Sequence, residues 1–227
     1  MIGIIGAMSS EIDVLKENVT DLKVENISGI DFYIGKVHNK DVVIAKSGIG
    51  KVFAAVCVEA MILKYNPKQI IHIGIAGSLV KDLNVRDVAI AEAVVQYDID
   101  QTAFDMPLGF IQDLELIEIP CSKTLVNEIE SCAKNINVNY KTGIIASGDT
   151  FISSDKDKEI IKDVFGAIAV DMESAATGQV CYINNIDFIA IRAMSDAGDD
   201  DAVNTYNVLK QQSADVATKI LLEFLNT

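Results

Sequence analysis

The chain has 227 residues, of which 50% are hydrophobic and 23% charged, and its formal net charge is −14 at pH 7. A chain of this length buries about 70–75% of its unfolded surface in one core, so folding requires neither disulfides nor a metal. The acidic charge argues against binding to nucleic acid or to an anionic membrane surface, because affinity for polyanions comes largely from Lys and Arg.

The lengths of the apolar segments lead us to expect a cytoplasmic protein. The first eight residues, MIGIIGAM, are too short and lack the positive charge of a signal peptide, and no apolar run approaches the roughly 18 residues that span a bilayer. The four cysteines show no CxxC spacing, which argues against a disulfide framework or a zinc site.

Apolar runs alternate along the chain with stretches of helical spacing. The runs at 2–5, 42–45, 69–73, 88–95, 144–146, 168–170 and 188–191 predict buried strands. Helices are predicted from Ser9 or Ser10 through Val19, and then at 52–64, 122–134, 156–164, 173–182 and 203–225. This alternation predicts an α/β fold in a single domain, residues 1–227, with a largely parallel sheet and helices on both faces.

Residues 97–120 show weak periodicity and contain Pro107 and Gly109. Long excursions of this kind in compact domains are usually functional or disordered. We expect a lid or a subunit contact here, and the alternative is a surface loop without a role.

Two glycine-rich turns argue against common nucleotide-binding motifs. The turn from Gly3 to Gly6 lacks the GxGxxG spacing of a dinucleotide site. The turn from Ser47 to Lys51 lacks the upstream glycine and the following Ser or Thr of a P-loop. Neither turn supports binding of NAD or a nucleoside triphosphate.

Three acidic residues occur where predicted strands end. Glu11 and Glu173 each open a helix after a strand, and Asp196 follows the last strand. Taken singly, Glu11 and Glu173 could serve only to complement a helix dipole, and Asp196 could be one more solvated loop acid. Because all three lie at the carboxyl ends of strands in one sheet, where such sheets bind ligands, together they indicate proton chemistry.

Two further residue types near these strand ends bear on the ligand. Phe151 follows another predicted strand, so its ring could face a purine or pack in the core. Only two arginines occur in the chain, Arg86 and Arg192, although phosphate sites usually use the bidentate fork of arginine.

Seven short motifs, in order along nearly the whole chain, resemble those of the 5′-methylthioadenosine/S-adenosylhomocysteine nucleosidases. They are GIIGAM at 3–8 followed by Glu11, KSGIGKV at 46–52, GIAG at 74–77, TAF at 102–104, SGDTFI at 147–152, VDME at 170–173 and RAMSD at 192–196. The resemblance implies a three-layer nucleoside phosphorylase-type α/β fold, with a mixed central sheet flanked by helices. It also implies a homodimer that hydrolyses the N-glycosidic bond of 5′-thio-substituted adenosines without cofactor or metal.

The resemblance further implies a role for each matching residue. Glu11 would activate the attacking water, Asp196 would assist adenine departure at N7, and Glu173 would hold the ribose hydroxyls. The remaining matches would bind the substrate or support the site, with the last two contributed to a partner subunit's site: Met172, Phe151, Ile152, Ser195, Arg192, Met8, Ile49, Ile75, Gly77, Tyr206, Gln101 and Phe104.

The chain departs from the family pattern at two positions. Ile75 stands where the best-known members have a serine, and Asp171 replaces a glutamate. Three other functions stay open beside hydrolysis of methylthioadenosine, adenosylhomocysteine and 5′-deoxyadenosine. They are a phosphate-dependent phosphorylase, a nucleosidase for another adenosine derivative such as an aminofutalosine, and a binding module without catalytic activity.

Overall fold

The computed structural model describes all 227 residues, and every predicted strand and helix corresponds to an observed one. The strands are β1 (Ile2–Gly6), β2 (Thr20–Ile27), β3 (Ile30–Val37), β4 (Lys40–Lys46), β5 (Gln69–Ser78), β6 (Val88–Gln96), β7 (Glu118–Pro120), β8 (Tyr140–Ser147), β9 (Ala169–Asp171) and β10 (Asp187–Asp196). The helices are α1 (Ser9–Glu17), α2 (Lys51–Tyr65), α3 (Lys123–Asn135), α4 (Asp155–Phe165), α5 (Ser174–Ile183) and α6 (Ala202–Asn226).

The sheet is mixed, which confirms the α/β class but shows that a largely parallel sheet was the wrong expectation. Five strand pairings are parallel (β1–β4, β1–β5, β5–β10, β6–β8 and β8–β9) and five are antiparallel. Strands β5, β10, β6, β8 and β9 close into a ring, because β9 returns to pair with β5. From β5 the sheet continues outward through β1, β4, β3 and β2.

Much of the antiparallel pairing comes from strands that the apolar pattern does not mark. Strands β2 and β3 are joined by the two-residue turn Ser28–Gly29, in which both residues have positive φ angles, 54° and 79°. Turns this short join only antiparallel strands. Strand β2 is exposed along nearly its whole length and alternates polar with apolar residues, so it has no buried apolar run.

Helices cover both faces of the sheet. One core cluster lies between the sheet and helices α1, α3 and α6, and a second lies beneath α2 and α5. Strand β4 contributes alternate residues to the two clusters, Val42 and Ile44 to one and Val43 and Ala45 to the other. Burial on both faces is the reason that such strands read as continuous apolar runs.

The excursion at 97–120 is partly ordered by short elements. It contains 3-10 turns at Thr102–Phe104 and Gln112–Leu114, and it ends in β7, which pairs with β6.

The four cysteines are free and buried. None of the helices combines the length and the apolarity needed to cross a bilayer.

Candidate active site

A cavity of about 300 Å³ lies where several strands end. Strands β1, β5 and β10 are adjacent and parallel, so their carboxyl ends meet at one edge of the sheet. Strand β9 reaches the same edge in a different way, because it runs antiparallel to β5 and pairs with its last two residues, Gly77 and Ser78. Ring closure therefore brings the end of β9 against the ends of β5 and β10.

Twelve of the fifteen residues proposed from the sequence line this cavity: Met8, Glu11, Ile49, Ile75, Gly77, Phe151, Ile152, Met172, Glu173, Ser195, Asp196 and Tyr206. Five further lining residues are chain neighbours of these and could have been included on that ground: Ala7, Ala76, Thr150, Val170 and Asp171. Arg192, Gln101 and Phe104 are not part of the cavity wall.

Glu11 lies in the first turn of α1 and is buried. One carboxylate oxygen, Oε2, accepts a hydrogen bond from the Met8 N–H at 2.9 Å, and Oε1 accepts one from the Ile75 N–H at 3.1 Å. Burial raises the pKa of Glu11, and the nearby charge of Arg192 and the backbone donors oppose that rise. Position 75, where this chain has isoleucine and the best-known family members have serine, thus contacts Glu11 through its backbone. That contact does not depend on the side chain at position 75.

Gly74 provides the room in which Glu11 and Arg192 approach each other. A Cβ atom at this position would lie 2.6 Å from Glu11 Oε1 and 3.0 Å from Arg192 Nη1. The first distance is shorter than real Cβ contacts and the second is tighter than most of them, so a side chain here would displace the Glu11 carboxylate. The glycine is required by this close approach.

Glu173 is the N-cap residue of α5, and its Oε1 accepts a hydrogen bond from the Gly50 N–H at 2.7 Å. Burial, followed by the like charge of Asp171, raises the pKa of Glu173 to about 7. A carboxyl group with such a pKa changes its charge near neutral pH. Burial and, after it, the neighbouring Asp171 carboxylate are therefore responsible for the raised proton affinity of Glu173.

Asp196 is the last residue of β10, next to an irregularity in the pairing with β5. Its Oδ2 accepts a hydrogen bond from the Ser195 hydroxyl at 2.8 Å, and its Oδ1 accepts one from the Gly198 N–H at 2.9 Å. Burial raises the pKa of Asp196, and these two donors oppose the rise. Gly77 faces it closely, since a Cβ there would lie 2.9 Å from Asp196 Oδ1.

Arg192 supports the site from behind the cavity wall. It is only 1% exposed, and its Nε donates to Asp171 Oδ2 at 2.6 Å while Nη1 donates to the His72 carbonyl at 3.1 Å. The Asp171 carboxylate also accepts from the Ser147 and Ser174 hydroxyls and from the Glu173 and Ser174 N–H groups. The shorter acid at position 171 thus fixes the start of α5, and with it Glu173.

His72 is a buried histidine of β5 with only one of its two ring nitrogens paired. Its ring is fully buried, and Nδ1 is 2.9 Å from the Thr177 hydroxyl, but Nε2 has no hydrogen-bond partner. Burial and the charge of Arg192 lower the pKa of His72 well below its ordinary value. The ring is therefore neutral, and it does not line the cavity.

Two aromatic rings form the outer part of the cavity. Phe151 and Tyr206 meet edge to face, with ring centroids 5.5 Å apart and planes at 79°. Phe151 is 40% exposed and belongs to no core cluster, so of its two predicted roles core packing is the wrong one. Tyr206 also contacts the Met8 sulfur through its hydroxyl at 3.3 Å.

Gln101 and Phe104 do not line the cavity: Gln101 immediately precedes the 3-10 turn Thr102–Phe104, and Phe104 ends it. Phe104 is 78% exposed. Apolar side chains of α2 are exposed as well, among them Val52, Phe53 and Leu63. An exposed phenylalanine and an exposed apolar helix face are typical of surfaces that contact another protein.

Comparison with known proteins identifies the family to which the chain belongs. The family model described as the phosphorylase superfamily matches residues 1–226, so the chain belongs to that superfamily. A relative from Staphylococcus haemolyticus, named 5′-methylthioadenosine/S-adenosylhomocysteine nucleosidase, is 40% identical over 222 residues, 97% of each protein. The chain is a member of the 5′-methylthioadenosine/S-adenosylhomocysteine nucleosidase family, and it is an enzyme that hydrolyses N-glycosidic bonds.

Two solved structures from Helicobacter pylori are equally similar in fold. One is a 5′-methylthioadenosine/S-adenosylhomocysteine nucleosidase bound to butyl-thio-DADMe-Immucillin-A, and the other is a futalosine hydrolase in its native form. Each has a TM-score of 0.95 and 36% identity, over 99% of this chain and 97% of the other. The nucleoside phosphorylase-type fold that the motifs imply is thus confirmed.

The raised pKa of Glu173 predicts a loss of stability as the pH rises. The folded state holds this proton more tightly than the unfolded chain, because the pKa is about 7 instead of 4.5. Raising the pH from about 4.5 to about 7 therefore lowers the free energy of unfolding, by about 3 kcal/mol from this group. In Glu173→Gln we expect that part of the pH dependence to disappear, as measured by urea unfolding at pH 5 and pH 8.

The matched control is Glu17→Gln, at the exposed end of α1. It should keep the pH dependence of the wild type. Equal pH dependence in Glu173→Gln and wild type would contradict the assignment of the raised pKa to Glu173.

Proposed function

We propose that the enzyme hydrolyses 5′-methylthioadenosine and S-adenosylhomocysteine, and also 5′-deoxyadenosine, releasing adenine and the 5-substituted ribose. The observation that carries the proposal is the meeting of Glu11, Glu173 and Asp196 in one small cavity beside two aromatic rings. The names of the relatives from Staphylococcus haemolyticus and Helicobacter pylori support the choice of substrates.

The reaction requires two carboxyl groups with different tasks. Cleavage of the bond between ribose and adenine passes through an oxocarbenium-like sugar, and glycosidic bonds are usually broken by one carboxyl group that donates a proton and another that acts as a base. In our proposal Glu11 is the base that activates water. The Met8 and Ile75 N–H groups and the charge of Arg192 favour its ionised form, which would also stabilise positive charge on the sugar.

Asp196 takes the opposite task and assists the departure of adenine at N7. Adenine is a poor leaving group as an anion, so the acid beside it must hold or share a proton near neutral pH. Burial raises the pKa of Asp196 and so favours the protonated form. Phe151 offers a flat, half-exposed ring on which adenine would stack.

Glu173 orients the ribose in this proposal. Its Oε1 is held by the Gly50 N–H, while no protein donor contacts Oε2, which can therefore accept from ribose hydroxyls. A site that hydrogen-bonds a substrate hydroxyl rejects analogues that lack it. We therefore assign discrimination against 2′-deoxy substrates to Glu173, with the Met172 backbone beside it.

The arrangement favours hydrolysis over phosphorolysis. A phosphorylase must hold a phosphate dianion beside the sugar, where Glu11 already supplies negative charge. Arg192 is already paired with the Asp171 carboxylate, and Arg86 does not line the cavity. Like charges without a free arginine would oppose phosphate binding.

A second candidate function is hydrolysis of an aminofutalosine. The similar fold of the Helicobacter pylori futalosine hydrolase favours it, because that chain matches this one as well as the nucleosidase structure does. The two candidates share the chemistry at the glycosidic bond and differ in the 5′ substituent. Steady-state rates with both substrate classes distinguish them.

We also propose that two copies of the chain form a homodimer in which the loop with Gln101 and Phe104 completes the partner's cavity. Phe104 is too exposed to pack in the core of its own subunit, and the apolar side chains of α2 are exposed to solvent in the isolated chain. Burying both in a symmetric contact removes them from water.

The purified enzyme should release adenine from methylthioadenosine in buffer free of phosphate. The physical reason is that water, activated by Glu11, is the acceptor of the ribosyl group. The measurement is chromatography of adenine and of the sugar product, with and without added phosphate. A rate that depends on phosphate, or a sugar 1-phosphate product, would establish the phosphorylase instead.

Replacing either proposed catalytic acid with its amide should reduce turnover strongly. We expect Glu11→Gln and Asp196→Asn each to lower kcat by about 10²-fold or more, because each removes one partner of acid-base catalysis. Glu17→Gln and Asp200→Asn, both exposed, are the matched controls and should keep full turnover. Full turnover in an active-site variant would remove that residue from its role, and binding without turnover in the wild type would indicate a binding module.

The dimer proposal predicts complementation between two defective chains. A heterodimer of Glu11→Gln and Phe104→Ala chains, purified through two different tags, contains one site with both defects and one with neither. We expect about half of the wild-type activity per dimer. If each site used its own Phe104, activity would not exceed half that of the Phe104→Ala homodimer.

A further inference from the structure

We propose that Lys51, Asp98 and Asp149 are positioning residues that hold Glu173 in place for the ribose. The inference rests on the ribose-binding role proposed for Glu173. We call these three residues the ribose clamp. None of them lines the cavity, and each belongs to a different segment of the chain.

The clamp is a closed ring of hydrogen bonds. Lys51 Nζ donates to Asp98 Oδ1 at 2.6 Å, and the Asp149 N–H donates to the other oxygen of Asp98, Oδ2, at 3.0 Å. The ring closes because the Lys51 N–H donates to Asp149 Oδ1 at 2.8 Å. It therefore ties together the start of α2 and the segments that follow β6 and β8.

The position of Lys51 indicates that the ion pair between Lys51 and Asp98 has a role beyond that of an ordinary surface ion pair. Lys51 is the first residue of α2, where a positive charge is unfavourable because of the helix dipole. The N-cap residue, Gly50, has no side chain with which to accept a hydrogen bond, and Asp149 supplies that acceptor from another segment. The side chains of Lys51 and Asp98 are only 18% and 28% exposed.

The clamp acts on Glu173 through Gly50. The Gly50 backbone has a φ of 100°, which favours glycine, and its N–H donates to Glu173 Oε1 at 2.7 Å. Because the Lys51 N–H is fixed by Asp149, the peptide on the other side of Gly50 has little freedom to turn. A Cβ at position 50 would lie 3.0 Å from Asp149 Oδ1, so the approach is close.

The same segment reaches the adenine side of the cavity. Asp149 stands two residues before Phe151, and the Tyr97 hydroxyl donates to the Thr150 carbonyl at 3.2 Å. Opening the clamp would therefore release mainly Glu173 and, to a smaller extent, the segment that carries Phe151. Small displacements of positioning groups reduce rates substantially, so the effect on catalysis should be measurable.

The test is the discrimination between methylthioadenosine and its 2′-deoxy analogue, measured as the ratio of the two kcat/KM values. In Lys51→Met we expect the ratio to fall about tenfold, because kcat/KM for the riboside falls while that for the 2′-deoxy compound changes little. Lys51→Arg, which keeps the positive charge, should retain most of the wild-type ratio. Lys141→Met is the matched control, since Lys141 pairs with Asp82 at 2.5 Å near the start of β8, away from the cavity.

A double variant distinguishes positioning from general damage to the fold. In Glu173→Gln the ratio should also fall, and adding Lys51→Met to it should lower the ratio no further, because both act through one carboxylate. Asp98→Asn provides a second way to open the clamp if Lys51→Met does not fold, as judged by thermal unfolding.

Two failures have different meanings. If Glu173→Gln lowers the ratio but the folded clamp variants behave like Lys141→Met, the clamp proposal is overturned and the role of Glu173 stands. If Glu173→Gln itself leaves the ratio unchanged, the ribose-binding role of Glu173 is wrong, and the clamp proposal falls with it.

Discussion

The buried ion pair between Arg192 and Asp171 is the interaction on which the rest of the site depends. Glu11, Asp171 and Glu173 lie close together in a low-dielectric region, and Arg192 is the buried cation that partly offsets their repulsion. A buried pair often contributes little net stability, because desolvation cancels much of the attraction, whereas the loss of one partner costs about 3–5 kcal/mol. Its value here lies in position: Asp171 fixes the start of α5, and Arg192 lies beside Glu11.

Helix starts provide the second means of holding acidic groups in one place. Helices α1, α2 and α5 all begin near the cavity, with Glu11 in the first turn of α1 and Glu173 capping α5. Unpaired N–H groups at a helix start and the positive end of its dipole favour negative charge. The site therefore combines burial, which favours protonation, with backbone donors, which favour ionisation. The balance between the two differs among the three acids.

The sequence was sufficient for the features that a single segment determines. The β-branched apolar runs of β1, β5 and β10 predicted buried strands, and the acids at their ends could be placed at one edge. Strand β2 escaped prediction because its residues are polar or exposed. The direction of β9 depends on closure of the ring, and the partnership of Arg192 with Asp171 joins residues that no local pattern connects. Lys51, Asp98 and Asp149 likewise look like ordinary polar loop residues until the fold brings them together.

Closure of the strand ring bears on how the sheet avoids edge-to-edge aggregation. With most of the sheet closed or covered, β2 is the long strand whose outer backbone groups are left unpaired. Such a border can template the addition of a foreign strand. Here Asp21, Lys23 and Glu25 place charges along it, and the irregular pairing between Thr20 and Lys23 interrupts its regular spacing. The polar residues that make β2 hard to recognise in the sequence thus also hinder the pairing of this edge strand with a strand of another molecule.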